Sequence, residues 1–183
     1  MNNKMGIYTH ILESKTKDIN SVKSPEELMK FMSNIKYKHT GKFLSIDEIL
    51  ENKYGDCHDQ SNLEYQVFKK LGLKCGRIFM VEYKNWYKGG GSTHTITWFI
   101  RNNKYYWFEH SWQNERGIHG PYESINDLKI DIFNKWNFEK DYDKLYMSNV
   151  GNVKPGMTLD EYCNCCIPKN GAPKENTYFK REN

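Results

Sequence analysis

Gly55-Asp56-Cys57-His58-Asp59-Gln60 decides how this chain is read. Asp56 suits an N-cap, and Asp59 follows three residues later, as in a capping box. Behind them Leu63, Val67, Phe68 and Leu71 fall on one helical face, and Gly72 suits the position just past the last turn. Cys57 therefore opens an amphipathic helix. Free backbone N–H groups and the positive end of the helix dipole converge there, so the thiolate is expected to be favoured. An isolated cysteine is more often a small buried hydrophobe. What surrounds this one in the chain points to chemistry instead.

Working outward, two more helix starts precede it: Ser24-Pro25-Glu26-Glu27 and Ser45-Ile46-Asp47-Glu48. Arg77 to Tyr83 reads as a strand. Lys84 to Ser92 holds Gly89-Gly90-Gly91 and reads as a long loop, with Trp86 and Tyr87 suited to a lid or to packing down. His94 to Ile100 and Lys104 to Glu109 flank Asn102-Asn103, a pair that tolerates left-handed turn conformations, and so form a hairpin. A two-residue turn there places Glu109 diagonal to His94 on one face, with His110 pointing away. A one-residue slip would exchange Glu109 and His110, so His110 is a rival partner for His94. Ser124 to Trp136 reads as a further helix. The pattern weakens beyond Asn137, and 168–183 reads as a polar tail. Helices, then strands, then a helix imply an α+β fold. The expected organisation is a single domain over 1–183, with a core at 24–136 and a C-terminal extension at 137–183.

A thiol nucleophile needs a histidine base and a third group that orients the imidazole. Cys57, His94 and Glu109 supply these in that chain order. Together with Thr93-His94-Thr95 and Tyr106-Trp107-Phe108-Glu109, the Gly55 to Gln60 element resembles the transglutaminase-like superfamily, which shares the papain-like cysteine-peptidase architecture. Glu109 departs from the commoner Asp. The resemblance implies a nucleophile at a helix N-terminus packed on an antiparallel sheet. It also implies acyl chemistry on a peptide, isopeptide or glutamine-type amide. In that chemistry Cys57 attacks the carbonyl, His94 moves the proton and Glu109 holds the imidazole. The acyl group would pass to water or to an amine. The Cys57 N–H could donate to the oxyanion, and Asn52, Tyr54 and Gln60 are candidates for a second donor. A catalytically silent interaction module of the same fold is the alternative.

Composition bounds the rest. The chain has 183 residues, a net charge of +4 and five cysteines, and 38% of it is hydrophobic. A mean hydropathy of −0.86 would suit a disordered chain, but 15% of the residues are aromatic, and disordered chains are poor in rings. Apolar runs reach about four residues, against roughly 18 for a membrane span. No apolar segment lies within Met1 to Lys15, so the expected compartment is the cytoplasm. Lysines, rather than bidentate arginines, carry the positive charge, which argues against nucleic acid as partner. A protein or peptide substrate is the expected partner, with no membrane and no cofactor. An odd number of cysteines excludes a complete set of disulfides within the chain. Cys163 and Cys166 have C-x-x-C spacing, and with Cys165 they could form half of a zinc site, completed by His58, Cys75, His110 or His119. Thiols packing a C-terminal segment are the simpler reading. Of the 27 aromatic rings, 11 lie between Phe79 and Trp112. That clustering suggests a ring-packed sheet holding His94 and Glu109.

Overall fold

The computed structural model describes residues 19–83, 92–138, 142–167 and 178–180. Most of the glycine loop, at 84–91, and the segment ahead of residue 19 lie outside the described residues. The elements in chain order are α1 (Pro25–Met32), β1 (Lys36–Tyr37), α2 (Ile46–Asn52), β2 (Tyr54–Gly55), α3 (Cys57–Lys70), β3 (Cys75–Tyr83), β4 (Thr93–Arg101), β5 (Lys104–Glu109), β6 (Gly117–Tyr122), α4 (Ile125–Lys135), β7 (Lys144–Asn149), α5 (Leu159–Cys166) and β8 (Tyr178–Lys180). A single 3-10 turn, Gln113–Glu115, links β5 to β6. The fold is mixed helix and sheet. Among the described residues no helix is long and apolar enough to cross a membrane.

The capping signals in the sequence start the helices as their chemistry requires. Ser45 with Glu48, Asp56 with Asp59 and Ser124 with Asp127 each close a capping box. Ser24 caps α1 by accepting from Glu27 N–H. Helix α3 ends before Gly72, whose φ of +74° lies where a side chain would be strained.

Six antiparallel strands form the main sheet in the order β6-β5-β4-β3-β7-β8. Asn102 and Asn103 both take positive φ, 53° and 59°, and so close the β4–β5 turn in two residues. The ladder pairs Thr97 with Phe108 and Trp98 with Trp107, the register that a two-residue turn dictates. Strand residues then alternate between the two faces. Phe99 and Phe108 pack with Leu63, Val67 and Phe68 of α3 and with Leu28 and Met32 of α1. Ile96, Trp107, Ile78 and Met80 pack with Leu128 and Ile132 of α4 on the opposite face. Phe79 and Val81 meet Tyr162 and Cys166 of α5.

The C-terminal part departs from the sequence reading. Strand β7 pairs with β3, and β8, within the stretch read as a polar tail, pairs with β7. The region after Asn137 thus extends the same sheet. Helix α5 begins in a Thr158–Glu161 capping box, a local signal present in the sequence.

One side chain ties the start of α3 to the loop before α2. Asp59 is fully buried, and its carboxylate accepts from Leu44 N–H at 2.8 Å, Asp56 N–H at 2.9 Å and Thr40 Oγ1 at 2.9 Å. Gly55 permits this approach, since a Cβ there would stand 2.9 Å from Asp59 Cβ. Asp59→Ala removes the acceptor from two main-chain donors at once. It should cost about 3 to 5 kcal/mol in urea unfolding followed by tryptophan fluorescence. A loss below about 1 kcal/mol would contradict this role.

Candidate active site

The most firmly held contact of the site lies at the open end of the β4–β5 hairpin. His94 Nε2 and Glu109 Oε2 are 2.7 Å apart, and both residues are buried. The other carboxylate oxygen, Oε1, accepts from Trp112 N–H at 2.7 Å and from Ser111 Oγ at 3.0 Å. Burial pushes the Glu109 carboxyl up. The His94 charge and these hydrogen bonds outweigh burial and leave it below the ordinary glutamate value. Glu109 is thus poised as an anion facing one ring nitrogen of His94. With Nε2 committed, Nδ1 is the ring nitrogen left for another partner.

Aromatic rings enclose the imidazole. Trp112 meets the His94 ring edge to face at 5.8 Å, and Trp136 lies at 6.2 Å. The two indoles pack against each other at 5.3 Å. Trp136 Nε1–H donates to the fully buried Glu82 at 2.9 Å, which fixes its ring. A cavity of about 230 Å³ opens beside them, lined by Tyr37, His94, Ser111, Trp112, Trp136 and Asn137 among others. The aromatic excess of the hairpin region therefore serves the core on both sheet faces and the wall around His94.

Cys57 stands at the first position of α3, as the sequence implies, but its electrostatics differ from expectation. Burial first, and then the Asp56 carboxylate, push the thiol well above its ordinary value. The Thr95 N–H hydrogen-bonds to the sulfur and pulls the other way without prevailing. The expectation of a favoured thiolate fails because burial outweighs the helix end, and the Asp56 carboxylate adds to it. Cys57 N–H donates to Asp56 Oδ1 at 2.6 Å, and Asp56 N–H donates to Asp59. That same bond removes the Cys57 N–H as a ready oxyanion donor. Cys57 is 8% exposed and does not line the cavity. The resting thiol is neutral.

The remaining candidates fall into place around it. Gln60 Nε2 donates to Gly55 O at 2.9 Å, and its Oε1 accepts from His110 Nδ1 at 2.8 Å, so its amide is spent inside the fold. His110 faces α3 and not His94. Burial and the nearby Arg116 charge pull it down to about 4, so it is a neutral imidazole. Asn52 is exposed at the end of α2, and the Tyr54 ring lies under Lys38 Nζ at 4.2 Å.

Tyr37 was not singled out in the sequence. It is held opposite Gly55 by the short parallel β1–β2 ladder and lines the cavity with His94. Burial, with Asp56 and Cys57 nearby and a hydrogen bond to the Asp56 carboxylate, pushes its phenol up, so the hydroxyl keeps its proton. A two-residue strand 20 positions ahead of the cysteine carries no periodic signal that would have found it.

Among the described residues the three-ligand grouping is Asp56, Cys57 and His58, whose ligand atoms lie within 4.8 Å of one another. Asp56 is already engaged by Cys57 N–H and by His39 Nδ1 at 2.9 Å, and the His58 ring is stacked on Phe43. Cys163, Cys165 and Cys166 are free thiols on α5 and join no such grouping among the described residues. Burial raises Cys163 and Cys166 to about 11. They pack against the Phe79–Tyr162 cluster, as the simpler reading expects.

No protein-family model matches the chain, and no curated protein does. Solved structures do match it. One is the (BACCR)NAT3 arylamine N-acetyltransferase from Bacillus cereus, which has a unique Cys-His-Glu catalytic triad. The identity is 16% and the TM-score 0.38, over 54% of this chain and 47% of that one. This chain thus spans about half the length of that protein, and a likeness at this level carries no weight for fold or activity.

A neutral resting thiol has a measurable consequence. Iodoacetamide modification of Cys57, followed by peptide mass spectrometry, should be slow at pH 7. Its rate should keep rising past the ordinary cysteine value of about 8.5. A rate that is already maximal below pH 7 would contradict the assignment.

Proposed function

We propose that the protein performs thiol-dependent acyl chemistry on a peptide, isopeptide or glutamine-type amide, as its transglutaminase-like and papain-like resemblance implies. Cys57 is the nucleophile, His94 the general base and then acid, and Glu109 the residue that orients the imidazole. The observation that carries this reading is the buried His94–Glu109 contact at 2.7 Å, with both carboxylate oxygens held.

The proposed steps follow from the protonation states. Because the thiol is neutral at rest, His94 Nδ1 takes its proton as the sulfur bonds to the carbonyl carbon. The carbonyl π electrons move to oxygen. When the tetrahedral species collapses, the C–N bond breaks, and the imidazolium returns the proton to the leaving amine. Water or a second amine then attacks the thioester with His94 again taking the proton, and as the C–S bond breaks the imidazolium returns that proton to the sulfur. Glu109 stabilises the imidazolium and, by engaging Nε2, leaves Nδ1 as the nitrogen proposed to take the proton. The Tyr37 hydroxyl, which lines the cavity with His94, is the proposed oxyanion donor, exchanging its hydrogen bond to Asp56 for one to the oxyanion.

Ammonia release from glutamine peptides and hydroxamate formation with hydroxylamine test the reading. Cys57→Ala and His94→Ala should lose activity by about a thousandfold or more, and Glu109→Gln should lose on the order of a thousandfold. Activity retained in Cys57→Ala would overturn it. Tyr37→Phe should lower kcat on the order of a hundredfold with little change in KM. An unchanged kcat would remove Tyr37 from the mechanism.

Two observations favour a second reading, a catalytically silent module of the same fold: the buried, protonated thiol and the engaged Cys57 N–H. On that reading the native protein and Cys57→Ala are equally inert toward every amide.

A further inference from the structure

The rim of the His94 cleft carries an open backbone edge. Strand β1 pairs with β2 alone, in parallel. Lys36 N–H donates to Lys53 O at 2.9 Å, and Lys38 N–H donates to Gly55 O at 3.1 Å. In a parallel ladder the residues that bond to one neighbouring strand alternate. Tyr37, between the two, therefore turns its N–H and C=O away from β2, and among the described residues neither group has a hydrogen-bond partner. Tyr37 is also 44% exposed. An unpaired, accessible edge of this kind is a template for a further strand.

Alternation along β1 sorts its side chains by face. The Tyr37 ring lies on the cleft side, where it lines the cavity with His94 and meets the His39 ring edge to face at 5.3 Å. Lys36 and Lys38 take the opposite face, where Lys38 Nζ stands 4.2 Å over the ring of Tyr54, the ladder partner of Lys36. Both lysines are exposed, and neither forms an ion pair among the described residues. The positive charge continues past β1. Lys30 and Lys53, likewise without an ion pair among the described residues, line a second cavity of about 650 Å³, and Glu27 there already accepts from Lys23 N–H at 2.8 Å.

We propose that β1 is the docking edge for an extended substrate polypeptide whose reactive residue has an aspartate or glutamate on each side. This rests on the reading of the His94 cleft as the reactive site. In an antiparallel pair one substrate residue exchanges both backbone hydrogen bonds with Tyr37, and its side chain then stands on the cleft side. Its two neighbours stand on the other face, opposite Lys36 and Lys38, where opposite charges are favourable and like charges are not. The backbone supplies affinity, and the two lysines supply the sequence preference.

Fluorescence anisotropy with labelled peptides tests this on full-length Cys57→Ala, in which binding is read apart from acyl transfer. The peptides are Ala-Glu-Gln-Glu-Ala, Ala-Ala-Gln-Ala-Ala and Ala-Lys-Gln-Lys-Ala. The glutamate-flanked peptide should bind on the order of tenfold tighter than the alanine-flanked one, and the lysine-flanked peptide most weakly. Adding Lys36→Glu together with Lys38→Glu, both at exposed positions, should reverse that order. N-methylation of the glutamine backbone amide removes its donor and should weaken binding on the order of tenfold. Equal affinities for the three peptides, an order unchanged by the charge swap, or full affinity of the N-methylated peptide overturns the docking edge. So does the absence of saturable binding by the glutamate-flanked peptide. Flank-selective binding to Cys57→Ala without ammonia release by the native protein would uphold the edge and sink the acyl chemistry. Release from all three peptides at equal kcat/KM would do the reverse.

Discussion

The buried carboxylate of Asp59 is the constraint on which the site is built. It holds Asp56 N–H, so the first turn of α3 starts at one fixed residue, and it holds Leu44 N–H, so the chain entering α2 is fastened to that turn. Cys57 is thereby placed at the first helical position, and the β1–β2 ladder that carries Tyr37 is anchored two residues earlier, at Gly55. The helix then packs Leu63, Val67 and Phe68 onto Phe99 and Phe108 of the hairpin that ends in Glu109. Aromatic packing fixes the distance between helix and sheet, and the cap fixes the position along the helix.

The same burial that gives precision sets the chemistry. A helix N-terminus ordinarily favours a thiolate, but here desolvation, and then the Asp56 carboxylate, raise Cys57. The stored charge of the site lies instead on Glu109, kept anionic by three donors in a buried setting. On the proposed mechanism such a centre leaves the proton on sulfur until a substrate arrives, and the imidazole moves it during attack.

Local signals made the inner fold legible. The Asp56–Asp59 spacing marked the helix that Cys57 opens, and Asn102-Asn103 set a register in which Glu109 reaches the His94 face and His110 faces α3. The outer parts were not legible, because their order comes from distant pairing. Leu145 to Met147 of β7 is a short buried run, and β8 is three residues long. Neither has a period of its own: β7 is ordered by β3, and β8 by β7. Tyr37 and Gln60 illustrate the same limit. What they do depends on contacts with Gly55 and His110 that no spacing along the chain reveals. The reversal at Cys57 had a related cause, since the caps were readable but the burial that overrides the helix end was not.

The central claim is that His94, held by Glu109, activates Cys57. Intact-mass and peptide mapping of acylation by p-nitrophenyl acetate tests it most directly, comparing native protein with His94→Ala at neutral pH. The account predicts a thioester on Cys57 that forms quickly in the native protein and falls to the rate of an inert buried thiol in the variant. Equal rates in the two proteins, or acylation confined to Cys163, Cys165 or Cys166, would contradict it.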